Sequence, residues 1–567
     1  MKKLIECVPN FSEGRDKSKI DDIISSMNNN ADITVLDVDM GFDTNRTVVT
    51  IVGSPDQIIE AAFYGIKRAS EIINMKEHSG THPRLGSTDV CPLIPINNVS
   101  DDECIQLSYS LGQRLGEELK LPVYLYEKSA KNSYRKRLPD IRKGEYEGLD
   151  KKISDKAWTP DFGPSKIHKF AGATVVGCRD FLIAYNINLN TKDHRLATDI
   201  AFELREVGRS QRIKNPKSNN LLDGEIVRDQ NGKAIKVAGK FKDVKGIGWY
   251  VSEFSRAQIS INFNNYKKST IYDVFDEACK LATERGLRVT GSELVGLIPK
   301  DALIAAGEHY LKKQKRSIGV PETDIIECAI QSLGLNDVTK FDISTKIIEY
   351  AVQNKSRTLI RLKSEDFIKE LSRNSPAPGG GSVSALLGAY GSGLSSMVSA
   401  LSYEKKELFS NREILNQIGK EAQVLKDKLS WLVDEDTIAF NQVIKANRLP
   451  SLTKEEKLKK IKEVLIANKY ALEIPLETAK NCLKILEIIK KLIKKCNLNS
   501  ISDLGVASEA SFAGIRGACM NVLINIALIN DDIYSKAKKK EVDAIISKAE
   551  KLHLKNYDEI MRLIKAQ

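Results

Sequence analysis

The pattern of apolar and polar positions changes its period once along the chain, at about residue 330. Before that point, short runs of β-branched and aromatic residues alternate with amphipathic segments of helical period. This alternation predicts two α/β sandwich-like subdomains, each a sheet with helices on one face, at residues 1–180 and 181–330. Strands are expected at 33–38, 47–52, 122–126, 181–189 and 257–263, helices at 54–74, 192–207 and 270–285, and an exposed polar insertion with hairpin signals at 209–246.

The C-terminal part of the chain has a helical period almost throughout, after a lysine-containing connector at 331–360. The pattern predicts an all-α up-and-down helical bundle at 361–567. The chain is therefore expected to be an α+β/α-helical multidomain protein. Long helices are predicted at 406–447, 453–495, 505–530 and 533–565.

The segment Gly379–Tyr403 has no charged residue over 25 positions, a length that would suit a membrane span. Its seven serines and six glycines argue against a span. Small residues that recur every three or four positions let a helix pack very close to its neighbours or to a flat ligand, and the pattern leaves both alternatives open. The segment opens with Gly379, Gly380, Gly381 and Ser382, which could bind an anion at a helix N-terminus although the lysine of a P-loop is missing.

The 567-residue chain carries a net charge of +12, which could serve nucleic acid, an anionic substrate or solubility alone. Its basic residues are mostly lysines on helical ridges, such as Lys490, Lys491, Lys494 and Lys495, with few aromatic residues between them. This pattern favours a solvated surface over a nucleic-acid site.

The nine cysteines are scattered along the chain and form no CxxC pair. Their spacing favours reduced thiols over disulfides or a structural zinc site. The first residues lack the apolar core of a signal peptide. We therefore expect a cytoplasmic protein that is not attached to a membrane.

Candidate chemistry in the first half lies in the stretch Glu77–Ile96, which contains His78 and His82, two of only six histidines. Gly80 and Pro83 oppose a helix here, so a loop is expected. Because histidine titrates near neutrality, such a loop can hold a general acid/base. The alternative is that both rings only cap backbone groups.

Two further segments are candidates for the same site. Asp37 and Asp39 lie near the end of a predicted strand, shortly before Arg46, and are either site residues or solvated acids. The Gly-bounded loop 161–174 contains lysines and His168, and its backbone could wrap a ligand. A metal site shared by the histidines of the two loops is disfavoured, because no helix-based ligand pair supports it.

In the helical part, an acid lies on an apolar stripe. Leu425, Leu429, Leu432, Asp436 and Phe440 follow one another at helical spacing. A carboxylate in that position loses its water unless it is paired, so its pKa should rise towards the range that is useful for proton transfer. The alternative is an acid paired with a lysine or a capping group of a neighbouring helix.

Several short motifs occur in a fixed order along nearly the whole chain. They are Cys7–Gly14, Leu36–Asp39, Thr44–Thr47, His82–Arg84 with Gly86, Asp89–Pro92, Asp161–Pro164, Phe181–Leu189, Gly246–Tyr250, Gly291–Pro299 and Ala377–Ser382. With these motifs the chain resembles the bifunctional formimidoyltransferase-cyclodeaminase family of folate-linked histidine degradation.

The resemblance implies that the two α/β subdomains are a glutamate formimidoyltransferase and that the helical part is a formimidoyltetrahydrofolate cyclodeaminase, an ammonia lyase. It implies His82 as the acid/base of the transferase and Asp436 as the catalytic acid of the cyclodeaminase. It also implies a folate-binding loop formed by Gly163, Pro164, Ser165, Lys166, Ile167, His168, Lys169, Phe170, Ala171 and Gly172.

Residue chemistry together with the resemblance yields further hypotheses. Asp39 would stabilise a cationic tetrahedral centre, and Arg46 or Arg84 would bind a glutamate carboxylate. The substrates would be N-formimidoyl-L-glutamate and tetrahydrofolate, a carrier in its polyglutamylated form, with no metal and no nucleic acid. Further substrate contacts are expected from Gly379, Gly380, Gly381 and Ser382.

Alternatives to the second activity remain at this point. The helical part could act like a methenyltetrahydrofolate cyclohydrolase, whose bundle looks alike, or it could be a non-catalytic oligomerisation domain. A binding protein whose basic face holds RNA is a further alternative, which the scarcity of aromatic residues among the lysines disfavours. A homo-oligomer is expected, because bundles with an exposed face of small residues often pair.

Overall fold

The computed structural model describes residues 3–42, 44–80, 82–352 and 358–566. Thr81 in the predicted site loop and residues 353–357 of the predicted connector lie outside these ranges. The chain divides into two compact units. Unit 1 comprises residues 1–303 and 333–353, and unit 2 comprises residues 304–332 and 354–567.

The strands lie in the first half of the chain. Their bounds are β1 Leu4–Cys7, β2 Asn10–Phe11, β3 Ile33–Gly41, β4 Arg46–Gly53, β5 Thr88–Asn97, β6 Val123–Leu125, β7 Thr174–Cys178, β8 Ile183–Leu189, β9 Arg209–Ser210, β10 Arg212–Ile213, β11 Glu225–Ile226, β12 Lys236–Val237, β13 Val244–Val251, β14 Arg256–Phe263 and β15 Val289–Val295.

The α-helices extend over both units. Their bounds are α1 Lys17–Asn30, α2 Pro55–Ile72, α3 Asp101–Glu118, α4 Leu138–Arg142, α5 Glu145–Ile153, α6 His194–Leu204, α7 Ile271–Glu284, α8 Lys300–Lys313, α9 Glu322–Leu333, α10 Ile343–Lys346, α11 Ile348–Ala351, α12 Ser364–Leu371, α13 Gly380–Tyr403, α14 Arg412–Asn447, α15 Lys454–Leu492, α16 Ile501–Ile526 and α17 Asp532–Lys565.

Strands β1 to β7 form one seven-stranded mixed sheet. Strand β3 pairs with β4, which pairs with both β1 and β2; these pair with β5, and β7 and β6 continue the sheet in parallel. Successive side chains of a strand point to opposite faces. On one face, apolar residues such as Ile5, Ile51, Cys91 and Val176 form a fully buried core with α1, α2 and α3.

The opposite face of this sheet is covered only in part. At one end, Val90 and Val175 are buried under Ile141 of α4 and Leu149 of α5. At the other end, Asp39 is exposed. The strand register connects the two ends through a row of direct partners on this face, namely Asp39, Val48, Asn10, Val90 and Val175.

The second sheet has the antiparallel order β13-β14-β8-β15. Its apolar side chains, such as Ile187 and Ile259, are fully buried, and α6 and α7 pack on the sheet. Both helices begin at side-chain caps, Asp193 for α6 and Thr270 for α7. This half of unit 1 thus repeats the plan of a sheet with helices on one face.

Unit 2 contains the long helices α13 to α17. Helix α13 packs against α14, α15 and α16, and α17 packs against α15 and α16. Helix α15 begins with a capping box formed by Thr453 and Glu456. Apolar side chains from the packed faces, such as Leu429, Leu486 and Ile515, are fully buried in one core.

The predicted fold class is confirmed, with sheets in the first half and long helices in the second. The predicted helix at 406–447 begins later, at Arg412, after a 3₁₀ turn at Lys406–Asn411. The boundaries of the predicted domains stay a prediction. Among the described helices, none has an apolar stretch long enough to cross a membrane.

Candidate active sites

The loop between α2 and β5 carries His82, and its first part is held by Asn45 at the turn between β3 and β4. The Asn45 side chain donates to the carbonyl oxygen of Ser79 (3.0 Å), and Nε2 of His78 lies 2.8 Å from the carbonyl oxygen of Asn45. Because Arg46 follows Asn45 directly, these contacts bring the loop next to Arg46.

The last part of the same loop pairs with the predicted folate-binding loop at 163–172. The backbone N–H of Ser87 donates to the carbonyl oxygen of Ala171 (2.8 Å), and the N–H of Ala173 donates to that of Leu85 (3.2 Å). Two segments that are far apart in sequence are thereby adjacent in the structure. The predicted acid/base and the predicted folate loop lie side by side.

Glycines and a histidine determine the backbone conformation of the loop 163–172. Gly163 and Gly172 have positive φ values of 80° and 72°, which favour glycine. Nδ1 of His168 accepts a hydrogen bond from the N–H of Ala171 (3.0 Å). Burial lowers the pKa of His168, in agreement with a neutral ring that accepts. The side chain of Phe170 is exposed and free to contact a ligand.

Arg84 is occupied by acids of the protein. Its guanidinium pairs with Glu145 (2.8 Å) and Glu147 (2.6 Å) of α5, and its Nε donates to Nδ1 of His78 (3.3 Å). Because all three nitrogens already have partners, the structure disfavours the hypothesis that Arg84 binds a glutamate carboxylate. Arg84 instead joins α5 to the loop of His82.

His82 lies near two arginines, Arg46 and Arg142, and one acid, Asp89. The ring is half-buried, and its Nδ1 is buried without a hydrogen-bond partner in the described ranges. The pKa of His82 is lowered, first by burial and then by the positive charges of Arg46 and Arg142, while Asp89 and a hydrogen bond between the ring and the backbone of Pro83 act in the opposite direction. The ring is therefore neutral near pH 7 and able to accept a proton.

Arg46 lies on the open face of the first sheet. Its Nη2 donates to Oδ1 of Asn10, whereas its Nε is buried and has no partner among the residues that the structure describes. Burial and the charge of Arg142 lower the pKa of Arg46, and the charges of Asp89 and Asp39 oppose this shift. Arg46 thus has one nitrogen anchored and another available to a ligand.

Arg142 of α4 belongs to the same group of charges, which sequence reasoning missed. It forms an ion pair with the buried carboxylate of Asp89, and Oδ1 of Asp89 also accepts the N–H of Leu85 (3.0 Å). One signal was present in the sequence: Asp89 lies in an apolar strand, and a buried acid needs a cation as its partner. The identity of that cation could not be found from spacing.

In unit 2, the carboxyl group of Asp436 lies at the N-terminus of α13. It accepts a hydrogen bond from the backbone N–H of Ser382, and its Oδ2 lies 3.3 Å from the hydroxyl oxygen of Ser382. A Cβ atom at Gly381 would collide with this carboxyl group, so only glycine allows the close approach. Burial raises the pKa of Asp436, although the contacts with Ser382 lower it. A half-buried acid with a raised pKa can serve as a proton donor.

Asp434, two residues before Asp436, forms hydrogen bonds with the protein backbone. Asp434 is buried and accepts hydrogen bonds from the backbone N–H groups of Leu359 (2.9 Å) and Ile360 (3.2 Å). Asp436 is thus distinguished from its neighbour by its position on the helix.

Comparison with known proteins identifies the family of the chain. Models of a formiminotransferase domain N-terminal subdomain, a formiminotransferase domain and a formiminotransferase-cyclodeaminase match residues 4–179, 184–353 and 363–544. The formimidoyltransferase-cyclodeaminase of Dictyostelium discoideum is 39% identical over 556 residues, which cover 97% of either chain. The chain belongs to the formimidoyltransferase-cyclodeaminase family.

Relatives with one activity match one part each. The glutamate formimidoyltransferase of Streptococcus pyogenes is 38% identical over 55% of this chain and 94% of its own. The methenyltetrahydrofolate cyclohydrolase of Methylorubrum extorquens is 32% identical over 35% of this chain and 94% of its own. Membership in the formimidoyltransferase-cyclodeaminase family confirms the predicted class, a bifunctional folate enzyme of histidine degradation.

Two small residues of α13 serve helix packing. A Cβ at Gly388 would collide with the thiol of Cys482, and a Cβ at Gly391 would collide with the hydroxyl of Ser511. Of the two alternatives that the sequence left open, the structure favours close packing against neighbouring helices over a flat slot along α13. A Cβ atom would meet nothing at Gly393, in the middle of α13, and has space at Gly379 and Gly380 at its N-terminal end.

That N-terminal end contains the predicted substrate contacts. Gly380 is exposed, and a Cβ built on it would lie 3.5 Å from Nδ2 of Asn521 in α16. Phe440, one turn after Asp436, is 37% exposed. Ser382 is buried, and its hydroxyl donates to the carbonyl oxygen of Val433 (2.8 Å), which makes it a support for Asp436.

Proposed function

We propose that unit 1 transfers the formimidoyl group from N-formimidoyl-L-glutamate to tetrahydrofolate. We further propose that unit 2 closes the resulting 5-formimidoyltetrahydrofolate to 5,10-methenyltetrahydrofolate with release of ammonia. The observation that carries the first part is the pair of buried, unpartnered nitrogens on His82 and Arg46, beside the loop 163–172. Buried polar atoms are normally hydrogen-bonded, and a ligand bound beside His82 and Arg46 could supply the missing partners of these two nitrogens.

His82 has the properties of a proton shuttle for this transfer. The attacking folate nitrogen must lose a proton as its bond to the formimidoyl carbon forms, and the glutamate nitrogen must gain one as its bond breaks. A neutral His82 accepts the first proton and donates it in the second step. Asp39 would stabilise the cationic tetrahedral centre, because it is an exposed carboxylate on the same face as Arg46.

Asp436 has the properties of the acid for the second reaction. Ring closure forms a bond between the second folate nitrogen and the formimidoyl carbon, and the amino group on that carbon leaves as ammonia after it gains a proton. Asp436 would donate this proton and recover one from the attacking nitrogen. Gly379, Gly380 and the exposed part of Phe440 would border the folate ring at this end of α13.

The function is tested by mixing the purified chain with N-formimidoyl-L-glutamate and tetrahydrofolate and following methenyl-folate and ammonia together. Equal amounts of both products are expected. Formation of 5-formimidoyltetrahydrofolate without ammonia would instead support a transferase whose helical part is cyclohydrolase-like or only an oligomerisation domain, an alternative that the match to a cyclohydrolase keeps in place.

We also propose a cytoplasmic homo-oligomer. All nine cysteines are free thiols, as suits a reducing compartment. Helices α13 and α16, which pack together, each have exposed apolar side chains seven positions apart. A second copy could cover this surface. The exposed side chains are Tyr390 and Met397 on α13, and Ala513 and Met520 on α16.

Replacement of Arg46 by lysine should weaken binding of formimidoylglutamate. Lysine keeps the charge but lacks the Nε that is free for a carboxylate. Loss of a hydrogen bond to a charged group corresponds to about 1.5–3 kcal/mol, so the KM for formimidoylglutamate should rise by about 10- to 100-fold. Steady-state kinetics with each substrate varied in turn will measure this, and the KM for tetrahydrofolate should change little. Arg68→Lys, on the helical side of the sheet, is the matched control; equal KM values in both variants would contradict the assignment.

The pH profile of the transferase should reflect the lowered pKa of His82. A base is active when it is neutral, and a lowered pKa keeps it neutral to lower pH. As pH falls, kcat/KM should therefore stay level until below the ordinary histidine pKa of 6.5 and decline only there. In Arg46→Met, the loss of a nearby positive charge should move this decline to higher pH. A decline that begins above pH 6.5 in the unaltered enzyme would argue against His82 as the base.

A further inference from the structure

The segment formed by α4, the following turn and α5 borders the His82 site and forms ion pairs with it at both ends of the turn. Arg142 at the end of α4 pairs with Asp89. The first turn of α5 pairs with Arg84 through Glu145 and Glu147. The position of Arg142 therefore depends on how the end of α4 is held.

A lysine from α5 holds that end. The ammonium group of Lys152 donates to the carbonyl oxygens of Asp140 (3.2 Å), Ile141 (2.5 Å) and Lys143 (2.9 Å). These carbonyls lie on both sides of Arg142 in the chain, at the C-terminal end of α4. A lysine at this end of a helix satisfies carbonyls that have no partner within the helix. Its three donors match the three acceptors.

The other face of the ammonium group is covered by an aromatic ring. Lys152 Nζ lies 3.9 Å from the ring centre of Trp158, a cation–π contact. Lys152 thus fastens α4 to α5 and to the turn that follows, whereas nothing in the proposed reaction uses it. No substrate role is needed to explain its geometry.

We propose that Lys152 is a positioning residue of the transferase: by binding the carbonyl end of α4, its ammonium group holds Arg142 against Asp89 and so maintains the charges around His82. The inference rests on the proposed transferase function of unit 1. Three contacts connect Lys152 to the loop of His82. Lys152 binds the end of α4, Arg142 at that end pairs with Asp89, and Asp89 accepts the N–H of Leu85 in the loop.

This arrangement has a consequence for the pH dependence. Burial, followed by the positive charge of Lys143, lowers the pKa of Lys152 to about 8, and Asp140 acts in the opposite direction. A lysine is charged below its pKa and neutral above it. When Lys152 becomes neutral, it loses its charge and one of the three N–H groups that bind the carbonyl oxygens of α4 and Lys143. Transferase kcat/KM should therefore decline as pH rises through about 8. In Lys152→Arg, the guanidinium group stays protonated and can donate to the same carbonyl oxygens, so this decline should disappear.

The test compares Lys152→Met, Lys152→Arg, Arg142→Met and the double variant Lys152→Met/Arg142→Met in the full chain. We expect a loss of transferase kcat/KM on the order of 10-fold or more in Lys152→Met, since small misplacements of site residues have large effects. The acid decline of the profile should move to higher pH, because His82 loses the effect of Arg142. The double variant should be no worse than Arg142→Met alone, because Lys152 acts through Arg142.

Cyclodeaminase activity on supplied 5-formimidoyltetrahydrofolate is the internal control and should be unchanged. Losses that add fully in the double variant, or a wild-type pH profile in Lys152→Met, would overturn the inference. If Lys152→Met fails to fold, the alkaline decline of the unaltered enzyme and its disappearance in Lys152→Arg decide the question, and persistence of the decline in that variant counts against the proposal. Absence of transferase activity in the unaltered enzyme would instead refute the proposed function.

Discussion

Replacement of His82 by alanine is expected to abolish formimidoyl transfer while folate binding persists. General acid–base catalysis by a positioned histidine contributes about 10²- to 10⁴-fold, so kcat should fall by a factor of this order. The loop of His82 is held by Asn45 and by the pairing of residues 85–87 with the loop 163–172 and Ala173, and neither contact involves the His82 ring. The backbone around residue 82 and the loop 163–172 should therefore keep their structure in His82→Ala. Single-turnover transfer and equilibrium binding of tetrahydrofolate will separate the two effects.

His194→Ala is the matched control for this experiment. His194 is exposed at the start of α6, on the second sheet of unit 1, and its replacement should leave transfer unchanged. Cyclodeaminase activity on supplied 5-formimidoyltetrahydrofolate should be normal in both variants. Normal turnover in His82→Ala, or loss of folate binding together with turnover, would show that His82 is not the proton carrier.

Replacement of Asp436 by asparagine is expected to abolish cyclodeamination and to leave transfer intact. The amide has the shape of the carboxyl group and can keep the contacts with Ser382, but it has no acidic proton to give to the leaving ammonia. The loss should again be on the order of 10²- to 10⁴-fold, and 5-formimidoyltetrahydrofolate should accumulate when both substrates of the transferase are supplied. Separate detection of the formimidoyl and methenyl forms of folate measures both activities in one reaction.

Asp427→Asn is a suitable control on the same helix, because Asp427 is exposed and its ion pair is with the adjacent residue Lys426. A raised pKa also has a predictable sign for a proton donor: Asp436 is active when protonated, so cyclodeaminase activity should decline as pH rises through its pKa. Full activity in Asp436→Asn, or an activity that rises with pH over this range, would exclude Asp436 as the acid.

The secondary structure of this chain follows largely from local pattern. Strands β3 and β4 and helices α2 and α13 lie close to their predicted positions, since the period of apolar residues and the capping residues act over a few positions. The hairpin signals of the insertion at 209–246 agree with its antiparallel strand pairs, β10 with β11 and β9 with β12. The connection between β10 and β11 is longer than a tight hairpin turn and contains a 3₁₀ turn at Leu221–Asp223 that the side chain of Asn220 caps.

The candidate site was predictable from sequence only in its individual residues. The motif around His82, the loop 163–172 and Asp436 on its apolar stripe could be named from their neighbours in the chain and from the family resemblance. Their chemical roles stay predictions, but the structure supplies the reasons that favour them: a neutral, half-buried His82 and a half-buried Asp436 whose pKa is raised.

The sequence by itself determined the elements, the fold class and the residues most suited to proton transfer, because these depend on short-range pattern and on side-chain chemistry. Only the tertiary structure decided which charges meet. In the folded chain, Arg84 pairs with Glu145 and Glu147, and Arg142 pairs with Asp89. Neighbouring helices pack against the small residues Gly388 and Gly391 of α13. Ion pairs and close packing join residues that are distant along the chain, and their partners depend on where each segment lies after folding, which no local pattern encodes.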